Sequence, residues 1–499
     1  MLFFLQQQSW YYEIVKKRTN FIKQGGVSMA ANQNVAVEGN KTASVSWLVY
    51  VKWMITLGVP ILTALYPLAV KPQVQMFLAI TLWAVFMWMF ELSSEAIVGI
   101  MLPVLYILFQ VGPPDKVFAG WSSSIPWVTL GGLVVGMVMV KTGLAKRIAY
   151  RLLVLTGTNV VGIVIGLSIA SLIITPLVPS VMGKVALIVP LVIGILQALE
   201  IKPGSKAAAV ILLGVFYALF DSSLLFLTGG ADSLMVAALM SKSAGVHISW
   251  GQWVYDMMIP FFIWLVLSLG LLFLIGPEKV QVNKSILQDK YNEMGIMSTD
   301  EKKTALVVSI LLIIFATDKI HKINPEWVIL MVASLMFMPP LNLLKKEDLG
   351  KINFPIVFYM VGALAIGSLS SVTGTTKVLT DYVQPLLEGK SGLYITIGTY
   401  VFGLLAHVLL TTLAAISAFT VPVAEIFKGV GMDPKIGAYT LMFGTKQFLF
   451  PYEVAPALFL YSYGYIKLNL MVKVLGIKIL FGFVFLALVA YPYWKLIGM

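Results

Sequence analysis

The chain has 499 residues, of which 59% are hydrophobic and only 12% charged, with a formal net charge of +12 and no cysteine. That composition excludes a soluble globular domain, which needs roughly twice that share of charge to cover its exterior, and it excludes disulfides and thiolate metal sites. Apolar runs of about 20 residues recur, rather than alternating runs of about 10, so the fold class is an all-α polytopic membrane protein and not a β-barrel.

Residues 1–45 read as a cytoplasmic tail, basic from Glu13 to Lys23 and then small and polar, with no apolar stretch and cleavage site of the signal-peptide kind. Met29 offers a second start. Spans are expected at 46–69, 74–90, 96–111 and 125–140, the last running into Lys141, Lys146, Arg147 and Arg151. Residues 160–198 are too long for one crossing and carry Pro176, Pro179 and Pro190, which predicts a re-entrant hairpin. A span over 207–240 is broken at Thr228-Gly229-Gly230, and 257–275 closes a first half that, with its leading helix, covers 46–277. The polar stretch 278–303 is a cytoplasmic linker. A second half, 304–499, repeats the order: spans at 304–316, 325–338 and 354–369, an amphipathic stretch at 377–387, and a hairpin-length run at 393–427. A span at 436–463 is broken near Pro451 and Pro456, and 468–497 ends the chain. The expectation is about eleven crossings and two re-entrant hairpins in an inverted-topology repeat.

The repeat is visible in the residues. Trp127 to Arg151 and Phe358 to Tyr382 superimpose with a shift of 231, which places Gly131 on Gly362, Gly136 on Gly367, and Thr142-Gly143 on Thr373-Gly374. The lysines and arginines cluster in segments that share one side when the N-terminus is cytoplasmic, so the chain is expected to sit in the cytoplasmic (inner) membrane, N-terminus in and C-terminus out. The same bias accounts for most of the net charge without a nucleic-acid partner.

Ser94-Glu95-Ala96-Ile97, Leu102-Pro103, the stretch Val117 to Ser123 and Lys141-Thr142-Gly143-Leu144-Ala145-Lys146-Arg147-Ile148-Ala149 resemble the divalent anion/sodium symporter family over about residues 46–499. The resemblance implies carriage of dicarboxylates, citrate or sulfate, a homodimer, and two hairpins with Ser-Asn-Thr tips. It also implies two helices unwound at Thr-Pro-Pro-like turns, with tips and turns holding sodium and substrate. Family hairpins have a proline ten residues after the tip serine. That count gives Ser180-Val181-Met182 as the first tip, and Thr412-Leu413-Ala414, next to Thr411, as the second. Val181 and Leu413 stand where the family has asparagines, and neither can coordinate sodium or bond a carboxylate. The unwound turns are expected at Thr228-Gly229-Gly230-Ala231-Asp232 and from Phe448 to Pro456, including Pro451 and Glu453.

Ionisable residues replace the lost amides. Lys184 lies four after Ser180, Asp221 ten before Ala231, Lys446 ten before Pro456, which makes Asp221 and Lys446 equivalent under the repeat, and His407 five before Thr412. Intramembrane charge is expensive and marks function by default. A lysine ammonium can fill a sodium site or bind a carboxylate. The plainer alternatives are that Lys184–Asp221 and Lys446–Glu453 are structural ion pairs, that Ser180 and Thr412 cap helix halves, and that His407 is a packing histidine. Substrate is expected at Ser180, Val181, Lys184, Thr228, Gly229, Thr411, Thr412, Lys446, Pro451 and Glu453, with Asp221, His407 and Glu453 as coupling candidates. No resident cofactor or enzyme site is expected, since no nucleophile–base set or metal cluster appears. The leading function is a secondary transporter of organic anions, di- or tricarboxylates, working by alternating access as an exchanger or with protons. The alternatives are sodium symport, with an ion near Ser180, Gly183, Gly229, Thr412 and Ala415, and a non-transporting receptor or assembly partner on the same scaffold.

Overall fold

The structure is a computed structural model that describes residues 47–499 except 91, 158, 281–283 and 324. The tail expected over 1–45 lies outside the described residues. Every regular element among the described residues is helical. The first half runs α1 (Trp47–Leu65), α2 (Pro72–Met89), α3 (Glu95–Leu108), α4 (Ile125–Lys141), α5 (Leu144–Thr156), α6 (Val160–Ile174), α7 (Val181–Ala198), α8 (Lys206–Asp221), α9 (Ala231–Ser243) and α10 (Trp250–Phe273). The second runs α11 (Lys284–Asn292), α12 (Thr299–Ala316), α13 (Pro325–Leu335), α14 (Phe354–Thr373), α15 (Thr375–Leu387), α16 (Gly392–Leu409), α17 (Thr412–Gly429), α18 (Pro434–Thr445), α19 (Ala455–Tyr461), α20 (Leu468–Phe485) and α21 (Tyr491–Leu496). By length and apolar composition eight helical stretches among the described residues can each cross a membrane, or nine when α4 and α5, bent by 63°, count as one broken span.

Helix starts are written in polar caps. Asn159, Ser180, Ser205, Ser249, Ser391 and Thr411 each accept the N–H three residues on, which satisfies one of the orphan donors of a first turn. Ser298 and Glu301 form a reciprocal capping box at α12. Ser249 explains why α10 begins at Trp250, seven residues before the expected span: Asp256 interrupts the apolar run but accepts from Gln252 Nε2, at 2.6 Å, and Tyr439 OH, at 2.9 Å, so it stays inside the helix.

The repeat governs the backbone. Adding 231 to the bounds of α5 gives those of α15, and adding it to α7 gives α17. Gly143 and Gly374 both adopt left-handed φ, 85° and 84°, and turn the chain between the paired helices, a conformation that costs a residue with a Cβ. Thr129 Oγ1 donates to Met360 Sδ at 3.6 Å. These two residues are themselves 231 apart, and equivalent residues of a two-fold repeat meet only at its axis.

Lipid is as apolar as leucine, so helices here associate through close packing of small residues rather than by escape from water. Gly362 brings α14 onto α3: a Cβ there would lie 2.1 Å from the Gly99 carbonyl oxygen. Its equivalent, Gly131, brings α4 onto α13, where a Cβ would lie 3.0 Å from the Ile329 backbone. Outside this core, α11 folds within the expected linker, with Leu287 buried. Arg147 of α5 ties that region down through Glu301, at 2.8 and 3.0 Å, and through the carbonyls of Gly295 and Met294.

Candidate functional site

Each half breaks its helices twice. Between α6 and α7 a 3-10 turn, Thr175–Leu177, and the residues up to Ser180 are all buried. This buried turn lies where the first hairpin tip is expected. Between α16 and α17 the break is Leu410 and Thr411. The cap of α17 is Thr411, whose Oγ1 accepts from Ala414 N at 3.4 Å, and not Thr412 as expected. The proline of this arm, Pro422, stands eleven residues after its cap rather than ten, so counting back from it overshoots by one. The shift of 231 places Ser180 on Thr411 without correction.

The broken helices interrupt at Leu227–Gly229, between α8 and α9, and at Pro451–Glu453, between α18 and α19. Aligning these turns places Ser222, not Asp221, opposite Lys446, so the expected equivalence is one residue out.

A cavity of about 340 Å³ gathers the pieces. Ser180, Val181 and Met182 of the first tip, Thr411, Thr412 and Leu413 of the second, and Glu453 of the second unwound turn line one side or another. Ala231 and Asp232 enter from the start of α9, with Glu95, Phe220, Tyr359, His407 and Lys446 completing the wall. Two helix N-termini therefore open on the same space. After capping, the first two N–H groups of α7 and of α17 still lack intrahelical partners, which makes both tips favourable to anions. Tyr359 OH and Thr411 Oγ1, 3.1 Å apart, join the second tip to α14.

Charges take partners the sequence did not suggest. Lys446 Nζ bonds Asp232 Oδ2 at 2.7 Å and Ser223 Oγ at 2.6 Å and lies 4.4 Å from the centre of the Phe220 ring. The expected Lys446–Glu453 pair is not formed; Glu453 instead accepts the N–H groups of Leu449 and Phe450 and holds its own turn. The expected Lys184–Asp221 pair is not formed either. Asp221, wholly buried, pairs with Lys478 Nζ at 2.8 Å and accepts from Trp264 Nε1 at 3.1 Å, away from the cavity. Lys184, wholly buried behind the first tip, donates to the Gly229 carbonyl at 2.7 Å and lies 3.4 Å from Thr175 Oγ1, which in turn bonds Ser222 Oγ at 2.7 Å. The hairpin thus reaches the first unwound turn through one ammonium and neutral oxygens.

The other expected residues fall around this centre. His407 is buried with Nδ1 3.4 Å from Thr412 Oγ1 and Nε2 without a protein partner. Thr412 Oγ1 also donates to the Thr445 carbonyl at 3.2 Å. Thr228 faces away from the cavity, donating to the Pro176 carbonyl and accepting from Trp250 Nε1, and lines a second cavity of about 330 Å³ with His247 and Asp318. Pro451, Gly183 and Ala415 are not in the cavity wall, and Ala415 is wholly buried in α17. Sequence reasoning placed Asp232 in the first unwound turn but gave it no role, and it missed Ser223, Tyr359 and Lys478. Asp232 and Lys478 carried the available signal, an ionisable residue at membrane depth.

The comparisons agree with this architecture. Residues 45–499 match the family model described as the sodium:sulfate symporter transmembrane region. A membrane protein of Cupriavidus necator is 25% identical over 366 residues, covering 70% of this chain and 69% of its own. A sodium-dependent dicarboxylate transporter of Staphylococcus saprophyticus is 22% identical, covering 80% and 82%, and a citrate/succinate antiporter of Escherichia coli is 21% identical, covering 76% and 80%. With the family model matching nearly the whole length, this multi-pass membrane protein belongs to the sodium:sulfate symporter transmembrane family.

Proposed function

We propose that the chain moves organic carboxylates across the cytoplasmic membrane as a secondary transporter, binding them between the two hairpin tips, with Lys184 in the place of a coupling cation. The observation that carries this reading is a cavity lined by both tips, backed by an ammonium bonded to the Gly229 carbonyl. Helix N-termini supply partial positive charge from both halves, and rigid movement of the hairpin-bearing elements exposes the site to one side and then the other. The names of the relatives, a dicarboxylate transporter and a citrate/succinate antiporter, support an organic anion as cargo. At the first tip Val181 offers sodium no side-chain oxygen, while at the second the shift of 231 puts Thr412, with one hydroxyl, in the matching place; the ammonium of Lys184 would repel a sodium ion 4 Å away by ~4 kcal/mol in a partly hydrated site. Coupling is therefore by exchange or by protons. The membrane orientation is N-terminus in, and the working unit is a homodimer.

The test is uptake of labelled succinate, malate, citrate, tartrate and sulfate into proteoliposomes, with and without a sodium gradient at fixed pH and membrane potential. Carboxylate uptake indifferent to sodium is expected. Absence of flux for the whole panel from folded protein would remove the transport reading, and uptake rising steeply with external sodium would remove the coupling assignment.

A further inference from the structure

Three carboxylates stand in the wall of the cavity between the tips, Glu95, Asp232 and Glu453. Glu453 is held by the N–H groups of its own turn. Asp232 is held by a cation of the other half. Its Oδ2 accepts from Lys446 Nζ at 2.7 Å and from Ser223 Oγ at 3.1 Å, so an acid at the start of α9 and the base that caps the end of α18 bridge the two repeats within the cavity wall. The bridge has no copy: aligning the unwound turns places Pro456 opposite Asp232 and Ser222 opposite Lys446. An anion drawn to the helix N-termini at the tips enters the same cavity and competes with Asp232 for the ammonium. When the anion wins, Asp232 keeps only the Ser223 hydroxyl, and an ionised carboxylate without a cation is costly at this depth. A proton on Asp232 removes that cost. In the empty site the pair is neutral and needs no proton.

We propose that Asp232 carries the coupling proton: a substrate carboxylate displaces it from Lys446, and the displaced carboxylate takes up one proton from water on the side to which the cavity is open. On the other side the substrate leaves, Lys446 returns to Asp232, and the O–H bond gives its proton back to water. One substrate carboxylate and one proton cross together, and nothing is oxidised or reduced. This rests on the transport reading above and names the proton acceptor of the same site. The other charged and titratable groups about Asp232 are Lys446 of α18 and Lys184 of α7, with Glu95, Tyr359, His407, Tyr452 and Glu453 in the shared wall. Of the remaining helices packed on α9, α14 carries no charge, and α4 and α17 carry theirs, Lys141, Glu425 and Lys428, at their C-terminal ends.

The test counts protons. Purified full-length protein in weakly buffered detergent at pH 8 is mixed with succinate, malate or citrate, all ionised there, and a pH indicator reads the protons taken up per anion bound. The wild type should take up about one, and its affinity should fall about tenfold per pH unit between pH 7 and pH 8.5, as linkage of one proton to one anion requires. Asp232→Asn should take up none and bind with the same affinity across that range. Because that variant strands the Lys446 ammonium, the same readings are taken on Asp232→Asn combined with Lys446→Gln, which strands neither charge. Binding by the wild type without proton uptake, or uptake that persists in either variant, overturns the proposal while leaving carboxylate transport standing. Failure of the wild type to bind any of the three overturns the carboxylate reading and this inference with it.

Discussion

Replacing Lys184 separates a functional ammonium from a structural one, because the two roles predict opposite stability. The ammonium makes one short charge-assisted hydrogen bond, to the Gly229 carbonyl at 2.7 Å, and one long one, to Thr175 Oγ1 at 3.4 Å. The first contributes about 1.5–3 kcal/mol and the second little. Against that stands the cost of keeping a wholly buried ammonium without a carboxylate partner, which is several kcal/mol even after relaxation. The terms nearly cancel, so Lys184→Met should shift stability by no more than about 2 kcal/mol in either direction. Transport should respond far more. Removing one charge from a partly hydrated site withdraws roughly 2–3 kcal/mol from a bound anion, or about 30–100-fold in uptake at limiting substrate. Lys184→Ala goes further, since it leaves the Gly229 carbonyl, Thr175 Oγ1 and Ser222 Oγ around an emptied space. Sodium, but not a bulky organic cation, should partly restore uptake in that variant. The assays are detergent melting and proteoliposome flux normalised to folded protein. A variant that melts much lower yet transports at the wild-type rate per folded molecule, with no sodium response, would refute the reasoning.

Three further outcomes follow from the packing. Lys478→Met strands the wholly buried Asp221 and should cost about 3–5 kcal/mol, while Lys478→Met combined with Asp221→Asn should recover most of it, read as a double-mutant melting cycle; an unrecovered double variant would show the pair is not the cause. Gly362→Ala should cost about 1–3 kcal/mol, because its Cβ meets the Gly99 carbonyl at 2.1 Å, and more than Gly131→Ala, whose nearest atoms lie at 3.0 Å; the reverse order in melting temperature would contradict the close approach. At the polar end of α12 the Arg147 guanidinium, with the Ser298 N–H, holds the Glu301 carboxyl below its ordinary range. A depressed acid contributes stability above its unfolded value of about 4.3 and loses it as pH falls through the lower folded value. Hydrogen exchange around residues 284–301 should therefore rise between pH 5 and pH 3, and Arg147→Met should show fast exchange already at pH 7; protection unchanged in that variant would remove the clamp from the account.

Backbone features were the legible part, because the repeat copies them residue for residue. Gly143 and Gly374 share a left-handed turn, and Gly131 and Gly362 share a helix contact, since no other residue fits either place closely. The second tip was misplaced because a proline was used as the ruler. Pro422 can slide by one within α17 without moving the cap, whereas the shift of 231 cannot. Charges were the illegible part. Their partners were sought nearby or at repeat-equivalent positions, but Lys446 and Asp232 lie 214 residues apart, and Lys478 and Asp221 lie 257 apart. Lys478 also stands in a run whose mean hydropathy is 2.4, read only as the last span, which is how it passed unremarked. The bilayer supplies the correction. A lone charge at that depth is costly enough that each buried lysine must find a carboxylate or be held for a purpose. Lys446 and Lys478 find one from another part of the chain. Lys184 bonds neutral oxygens directly behind a tip that opens on the cavity, and it is the one of the three for which the transport reading needs a purpose.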